Sequence, residues 1–309
     1  MLAVVLMLAA TAGADWRQFR GNRNDGVATP ARIPITWNES QNIAWKVDLP
    51  GRGPSSPIVV GDRVVVTCSS GANQDRLHVL CFNVTDGRRR WHRQFWATGR
   101  TLCHPSSAVA APTPASDGRR IFAFYSSNDL ACLDLDGNLQ WFRGLAFDFP
   151  KAGNDVGMAS SPVVVDGTVV VQIENQGDSF VAGIDAVRGT TRWRLPRDRQ
   201  ANWASPAVAI DGRGAGDLVV LQSPSGLSVH DPLTGLARWN LSVACQGIPS
   251  PVASGGVVYA SAEGITAVAV TQVGSRSQAL PLWQENRLRP GSASPLVHQG
   301  KIYVINSAG

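Results

Sequence analysis

Leu227-Ser-Val-His-Asp-Pro-Leu-Thr-Gly-Leu-Ala-Arg-Trp-Asn-Leu241 decides how the rest of the chain is read. It divides into a strand, a tight turn at Thr234-Gly235 and a second strand opened by Trp239. Gly235 supplies the positive φ that a hairpin turn needs, and Asp231 can cap the turn backbone. Trp239 is an apolar anchor that one hairpin cannot bury alone. The unit must therefore have neighbours.

Those neighbours are in the sequence. Short apolar strands open after Pro57, Pro112, Pro162, Pro206, Pro251 and Pro295, at spacings of 55, 50, 44, 45 and 44 residues. Tryptophans close the units at Trp91, Trp141, Trp193, Trp239 and Trp283, spaced by 50, 52, 46 and 44. Two markers holding one period define a structural repeat. Each unit reads as four strands, and runs such as Val163-Val-Val165 are apolar throughout, as in sheets covered on both faces. Four strands in about 45 residues is the pattern of a β-propeller blade. The expected fold is all-β, with about five complete four-stranded blades and a sixth begun at Ser294-Pro295.

Composition agrees. Of 309 residues, 31 are glycine and 19 proline, which suits many turns, while 44% are apolar and 17% charged, which argues against disorder. The net charge of +5 comes almost wholly from arginine, and the single basic run, Arg88-Arg89-Arg90, precedes Trp91 at an expected turn. A solvated turn is its expected role, so nucleic acid is not an expected partner. Five cysteines (Cys68, Cys81, Cys103, Cys132 and Cys245) form no Cys-x-x-Cys, and their odd number excludes complete pairing within the chain.

The expected organisation has three parts. Residues 1–14 read as a signal peptide ending in Ala12-Gly13-Ala14, which implies a periplasmic or secreted protein with no membrane span after cleavage. Residues 15–44 form a polar arm, whose Trp16 and Phe19 are expected to pack on the outside of the domain. Residues 45–309 form the propeller, incomplete at its C-terminal end. Ala44–Leu49 reads as a lone strand, placed to complete the last blade and so remove an open edge.

Leu-Ala-Cys-Leu-Asp134-Leu-Asp-Gly137-Asn-Leu-Gln-Trp141, Ala-Gly-Ile-Asp185-Ala-Val-Arg-Gly189-Thr-Thr-Arg-Trp193 and Val-His-Asp231-Pro-Leu-Thr-Gly235-Leu-Ala-Arg-Trp239 carry a resemblance. They are similar to the tryptophan-docking repeat, A-x-D-x-x-T-G-x-x-x-W, of pyrroloquinoline-quinone-like propellers, which usually have eight blades. The arm Asp15–Gly21 is similar to the opening segment of secreted bacterial members, quinone-like or outer-membrane-assembly-like. The resemblance implies docking roles for Trp45, Trp91, Trp141, Trp193, Trp239 and Trp283, and for Gly87, Gly137, Gly189 and Gly235.

It also sets two functional expectations. The first is a non-catalytic cell-envelope propeller that serves as a binding or assembly scaffold, with envelope proteins or a small polar ligand as partners and no cofactor. The alternative is a quinone-dependent alcohol or sugar dehydrogenase using pyrroloquinoline quinone and Ca²⁺. The alcohol-oxidising branch carries adjacent cysteines, which this sequence lacks. Asp134, Asp185 and Asp231 have the oxygen chemistry of calcium ligands, but beside a turn their expected role is a structural hydrogen bond. Ligand contacts are expected in the loops entering each blade: His104, Asn154, Asp155, Asn202, Trp203, Gln246 and Arg289. At Trp203 an aromatic ring stands beside the Asn202 amide, an arrangement that can stack on a planar or sugar ligand; packing between blades is the other role open to it.

Overall fold

The structure, a computed structural model, describes residues 15–28, 34–153, 155–210, 216–270 and 279–307. The expected signal peptide, residues 1–14, lies outside them. Five four-stranded antiparallel sheets follow one another, each in simple sequence order, and a two-stranded sheet comes last. Blade one is Ile58–Val60, Arg63–Ser70, Arg76–Asn83 and Arg89–Trp96; blade two is Ala115–Ser116, Arg120–Phe124, Asp129–Asp134 and Leu139–Gly144. Blade three is Val163–Val165, Thr168–Ile173, Phe180–Asp185 and Thr191–Pro196; blade four is Ala207–Ile210, Asp217–Ser223, Gly226–His230 and Ala237–Leu241. Blade five is Val252–Ser254, Val257–Ala260, Ile265–Ala269 and Pro281–Glu285, and blade six holds Leu296–His298 and Lys301–Tyr303. One helix, Leu145–Asp148, interrupts the pattern among the described residues.

The first strands of successive blades touch each other, so they form the inner ring; the fourth strands face outward and carry the exposed residues. Hydrophobic cores lie between blades rather than within them. Phe122 and Phe124 of blade two pack with Val169, Val171 and Phe180 of blade three, and Val220 and Trp239 of blade four with Val258 and Val268 of blade five. This is why the strands are apolar on both faces.

Trp91, Trp141 and Trp193 each dock on the turn of the next blade. A methyl built on Gly235 (φ 74°) would stand 2.7 Å from the Trp193 ring, which leaves that position to glycine on both counts. The indole N–H of Trp193 donates to Pro232 O at 2.8 Å, that of Trp141 to Ala186 O at 3.2 Å and that of Trp91 to Leu135 O at 2.9 Å. Their rings cover Gly189 and Gly137 in the same way. Trp239 is 1% exposed and donates to Val270 O at 2.7 Å. In all five blades the register skips one residue just before the tryptophan (Arg90, Gln140, Arg192, Arg238 and Leu282), a bulge that turns the ring toward its neighbour. Asp185 and Asp231 lie in these turns as fasteners. Asp231 Oδ1 accepts the amides of Leu233 and Thr234 at 3.0 Å, and Asp185 Oδ1 those of Val187 and Arg188 at 2.9 and 2.8 Å. The Arg188 amide and the Arg192 guanidinium hold the Asp185 carboxyl down at about 2.

Three expectations are corrected. The opening of blade two is Thr113-Pro114, not Ala111-Pro112, because Ala115 begins the strand and a ring of hydroxyls sets the register. Ser56 N–H donates to Thr113 Oγ1 (3.0 Å), Thr113 to Ser161 Oγ (3.0 Å), Ser161 to Ser205 (2.9 Å), Ser205 to Ser250 (2.9 Å) and Ser250 to Ser294 (2.9 Å). The hydroxyl before the opening proline of blades two to six is thus a blade-to-blade acceptor. Ala44–Leu49 joins no ladder, although Trp45 covers Gly87 and donates to Val84 O at 3.0 Å, the docking that the other tryptophans make.

The arm is the third correction. It lies along the inner ring and not on the outside. Trp16 pairs with Val59 through both backbone groups (2.9 and 2.8 Å), and Arg17 O accepts Ser116 N–H at 2.8 Å. Gln18 Oε1 accepts Val164 N–H and Asn24 Oδ1 accepts Val208 N–H, both at 3.1 Å. The inner strands present unpaired amides to the channel, and satisfying them outweighs exposing a polar arm to solvent.

Candidate functional site

The channel has two ends. At one, the turns between first and second strands surround the arm; at the other, loops enter each blade. The expected ligand residues lie in the entry loops, and those loops are tied to one another in order. His104 N–H donates to Val156 O at 2.9 Å; Trp203 Nε1–H reaches Gly157 O at 2.8 Å and its backbone N–H reaches Gly247 O at 2.6 Å. The Gln246 amide, in the orientation that satisfies its surroundings, donates to Pro290 O at 2.6 Å and Gly291 O at 2.8 Å.

Their exposure separates them. His104 is exposed, with Nδ1 2.7 Å from Ser106 Oγ. Asp155 is exposed and pairs with Arg100 at 2.6 Å, a surface pair of small energetic weight. Arg289 is exposed, its Nε–H donating to Asn286 O at 2.9 Å. Asn202 is fully buried, Trp203 and Gln246 are half-buried, and Asn154 lies outside the described residues. The loops bring the described members of this set into one ring of neighbours, but Asn202, Trp203 and Gln246 turn their polar groups toward adjacent blades.

The strongest polar feature at this end escaped the sequence reading. Glu174, its side chain 1% exposed, follows the second strand of blade three. Its Oε1 accepts Arg197 Nε–H at 2.6 Å and Gln172 Nε2–H at 3.0 Å, and its Oε2 accepts Asn202 Nδ2–H at 2.8 Å. Gln172 and Asn202 also donate to Gln222 O, and Gln222 donates to Gln246 O and Pro249 O, each within 2.8–2.9 Å. The network therefore runs from blade three through blade four to the loop of blade five. Its signal was present: a charged residue at the end of the apolar run Val169-Val-Val-Gln-Ile-Glu174 has to find partners or remain solvated.

A second polar chain lies in blade one. Ser70 Oγ is 2.8 Å from His78 Nε2, and His78 Nδ1 is 2.9 Å from His92 Nε2. Burial, then His92 and Arg76, press the His78 imidazole down to about 4. It is neutral at pH 7 and a weak base, which fits a structural bond better than activation of Ser70. The cysteines are all free thiols, and burial raises Cys132 and Cys245 to about 12. Among the described residues no three His, Cys, Asp or Glu side chains converge as metal ligands, and no helix is long and apolar enough to cross a membrane.

No curated protein sequence matches the chain. Among solved structures, the quinohemoprotein alcohol dehydrogenase of Comamonas testosteroni superposes with a TM-score of 0.62 at 16% identity, over 97% of this chain and 53% of its own. BamB of Moraxella catarrhalis gives 0.56 at 16% identity, over 85% and 72%. A europium-containing methanol dehydrogenase gives 0.55 at 13% identity, over 88% of this chain and 62% of its own length. At such identities the likeness is one of fold, that of the pyrroloquinoline-quinone-like repeat propeller. The family described as outer membrane protein assembly factor BamB matches residues 27–177 and again 150–309, and the chain belongs to that family.

Proposed function

We propose that the protein is a non-catalytic propeller of the bacterial envelope, periplasmic or secreted after loss of residues 1–14, that acts as a binding or assembly scaffold for other envelope proteins. The observation that carries this reading is the state of Glu174. A calcium ion needs oxygen ligands with free lone pairs and no competing cation. The Glu174 carboxylate instead faces the Arg197 guanidinium at 2.6 Å and two side-chain amides. Asn202, the most ligand-like amide in the expected set, is part of the same fastening. These residues do not fit a calcium-quinone centre, so the reading assigns no cofactor. The family description supports a role in assembly, and loops held on a rigid ring suit the display of a protein-binding face. Leu102, Phe147 and Ile248, which are 50%, 83% and 50% exposed, give the loop end apolar contacts for a partner.

Dye-linked oxidation of alcohols and aldoses by the full chain, supplied with pyrroloquinoline quinone and Ca²⁺, separates this reading from the dehydrogenase alternative. No dye reduction and no heat of quinone binding are expected. Quinone-dependent reduction of the dye would overturn the scaffold reading.

A further inference from the structure

The inner ring repeats one station per blade, and the arm fills only some of them. Val59, Ser116, Val164 and Val208 each stand two residues after the proline that opens their blade, and each donates its N–H toward the channel. The acceptors are Trp16 O, Arg17 O, Gln18 Oε1 and Asn24 Oδ1, all neutral carbonyl oxygens. Ala253 holds the same station in blade five, two residues after Pro251. Its register confirms the equivalence: Val252 pairs with Tyr259 and Ala253 with Val258, as Ile58 pairs with Val65 and Val59 with Val64. The Ala253 amide is thereby directed at the channel.

Among the described residues no arm carbonyl meets it. A cavity of about 270 Å³ lies there, walled by Ala253, Ser254, Gly255 and Gly256 of blade five, by Val208, Ile210 and Asp217 of blade four, and by Asn22, Arg23 and Asp25 of the arm. That is several times the ~30 Å³ that one water occupies. The Asn22 side chain is already engaged, its Oδ1 accepting Arg17 N–H at 2.9 Å and its Nδ2 donating to Asp15 O at 3.0 Å. The wall keeps two carboxylates, Asp25 and Asp217, against one guanidinium, Arg23. Burial, then Asp166, pushes the Asp217 carboxyl up, so a second anion is disfavoured here.

We infer that this cavity is a binding site for a neutral carboxamide, such as an asparagine or glutamine side chain of an incoming peptide. The ligand carbonyl accepts the Ala253 N–H, as Gln18 and Asn24 do for blades three and four, and its NH₂ donates to the Asp217 carboxylate. The class follows from the four filled stations and from the acidic wall. A carboxylate would satisfy the amide but meet like charge, and a hydrocarbon would leave both the amide and the carboxylate unmatched.

Titration of the ¹⁵N-labelled full chain with N-acetylglutaminamide, followed by amide shifts, tests the site. Saturable shifts in the millimolar range are expected at Ala253, Ser254, Gly255 and Gly256, with none at Val59 or Ser116, and sodium acetate should give none at any of them. Ala253→Pro removes the donor at an edge-strand position whose N–H is outside the ladder and should weaken binding at least about tenfold. Asp217→Leu tests the other half of the site independently should that proline disturb the blade. Equal response to acetate, shifts confined to the loop end, absence of saturation, or unchanged binding in both variants would each refute the assignment.

Discussion

The two ends of the channel are built from one repeat but use it differently. At the turn end the same residue type does the same work from blade to blade: the indoles of Trp91, Trp141 and Trp193 cover glycines, Asp134, Asp185 and Asp231 cap turns, and a strand amide of each of blades one to four meets the arm. At the loop end, equivalent positions diverge. Asn202 is fully buried while His104 and Arg289 are exposed, and two buried carboxylates find different partners, Glu174 the Arg197 guanidinium and Asp129 the hydroxyls of Thr98 and Ser127. Periodic residues hold the ring together, and departures from the period mark where blades differ. In this chain the departure at Glu174 also proves to be a fastening.

The comparison can be attacked first at the turn end. Trp239→Ala removes a ring that is 1% exposed and leaves Val270 O without its donor. A loss of about 3–5 kcal/mol in urea-induced unfolding is expected. A loss under 1 kcal/mol would mean the ring is not what joins blades four and five.

At the loop end, Glu174→Ala strands the Arg197 guanidinium and two amides in a buried gap. The expected cost is about 3–5 kcal/mol, close to that of the tryptophan. Replacing both Glu174 and Arg197 with apolar residues should recover much of it, which a double-mutant cycle reads directly.

Two pH windows then distinguish the regions. His78 titrates at about 4 in the folded chain against an ordinary 6.5, so the unfolded chain binds the extra proton. Its contribution is fully present above 6.5 and falls as pH drops toward 4; His78→Gln should flatten that part of the profile. Asp185, held at about 2 against an ordinary 3.8, acts lower: its contribution is complete above 3.8 and is lost as pH falls through about 2. Asp185→Asn should remove that slope and leave the His78 window unchanged.

The smallest effect belongs to Trp283. It closes blade five as Trp239 closes blade four, yet it is 41% exposed and rests beside Tyr259 with ring centroids 5.9 Å apart. Trp283→Ala should cost about 1 kcal/mol or less. The same residue in the same repeat is worth little where, among the described residues, no turn covers it.

The fold was largely legible because docking depends on spacing, and spacing is what a sequence displays. The period of Trp91, Trp141, Trp193 and Trp239 carried blade number, strand order and the turn role of Asp185 and Asp231. The errors came where a local pattern had two readings. Ala111-Pro-Thr-Pro114 offers two prolines, and the hydroxyl that bonds Ser56 N–H chooses between them only in three dimensions. The arm read as polar and therefore external, since the amides it satisfies belong to residues 43 or more positions away. The entry-loop residues could be located from sequence but not sorted, because whether an amide such as Asn202 turns toward solvent or toward Glu174 depends on the neighbouring blade.

The central claim is that the loop end is the protein-binding face. Site-specific photocrosslinking in the native envelope, with the probe at Leu102 or Ile248 on the loop end and at Leu233 or Leu236 on the docking turns, tests it most directly. All four positions are at least 50% exposed, so access is comparable. The account predicts a discrete crosslinked envelope protein from the loop-end positions, at much higher yield than from the turns. Equal yields at both ends, or crosslinks from Leu233 and Leu236 alone, would contradict it.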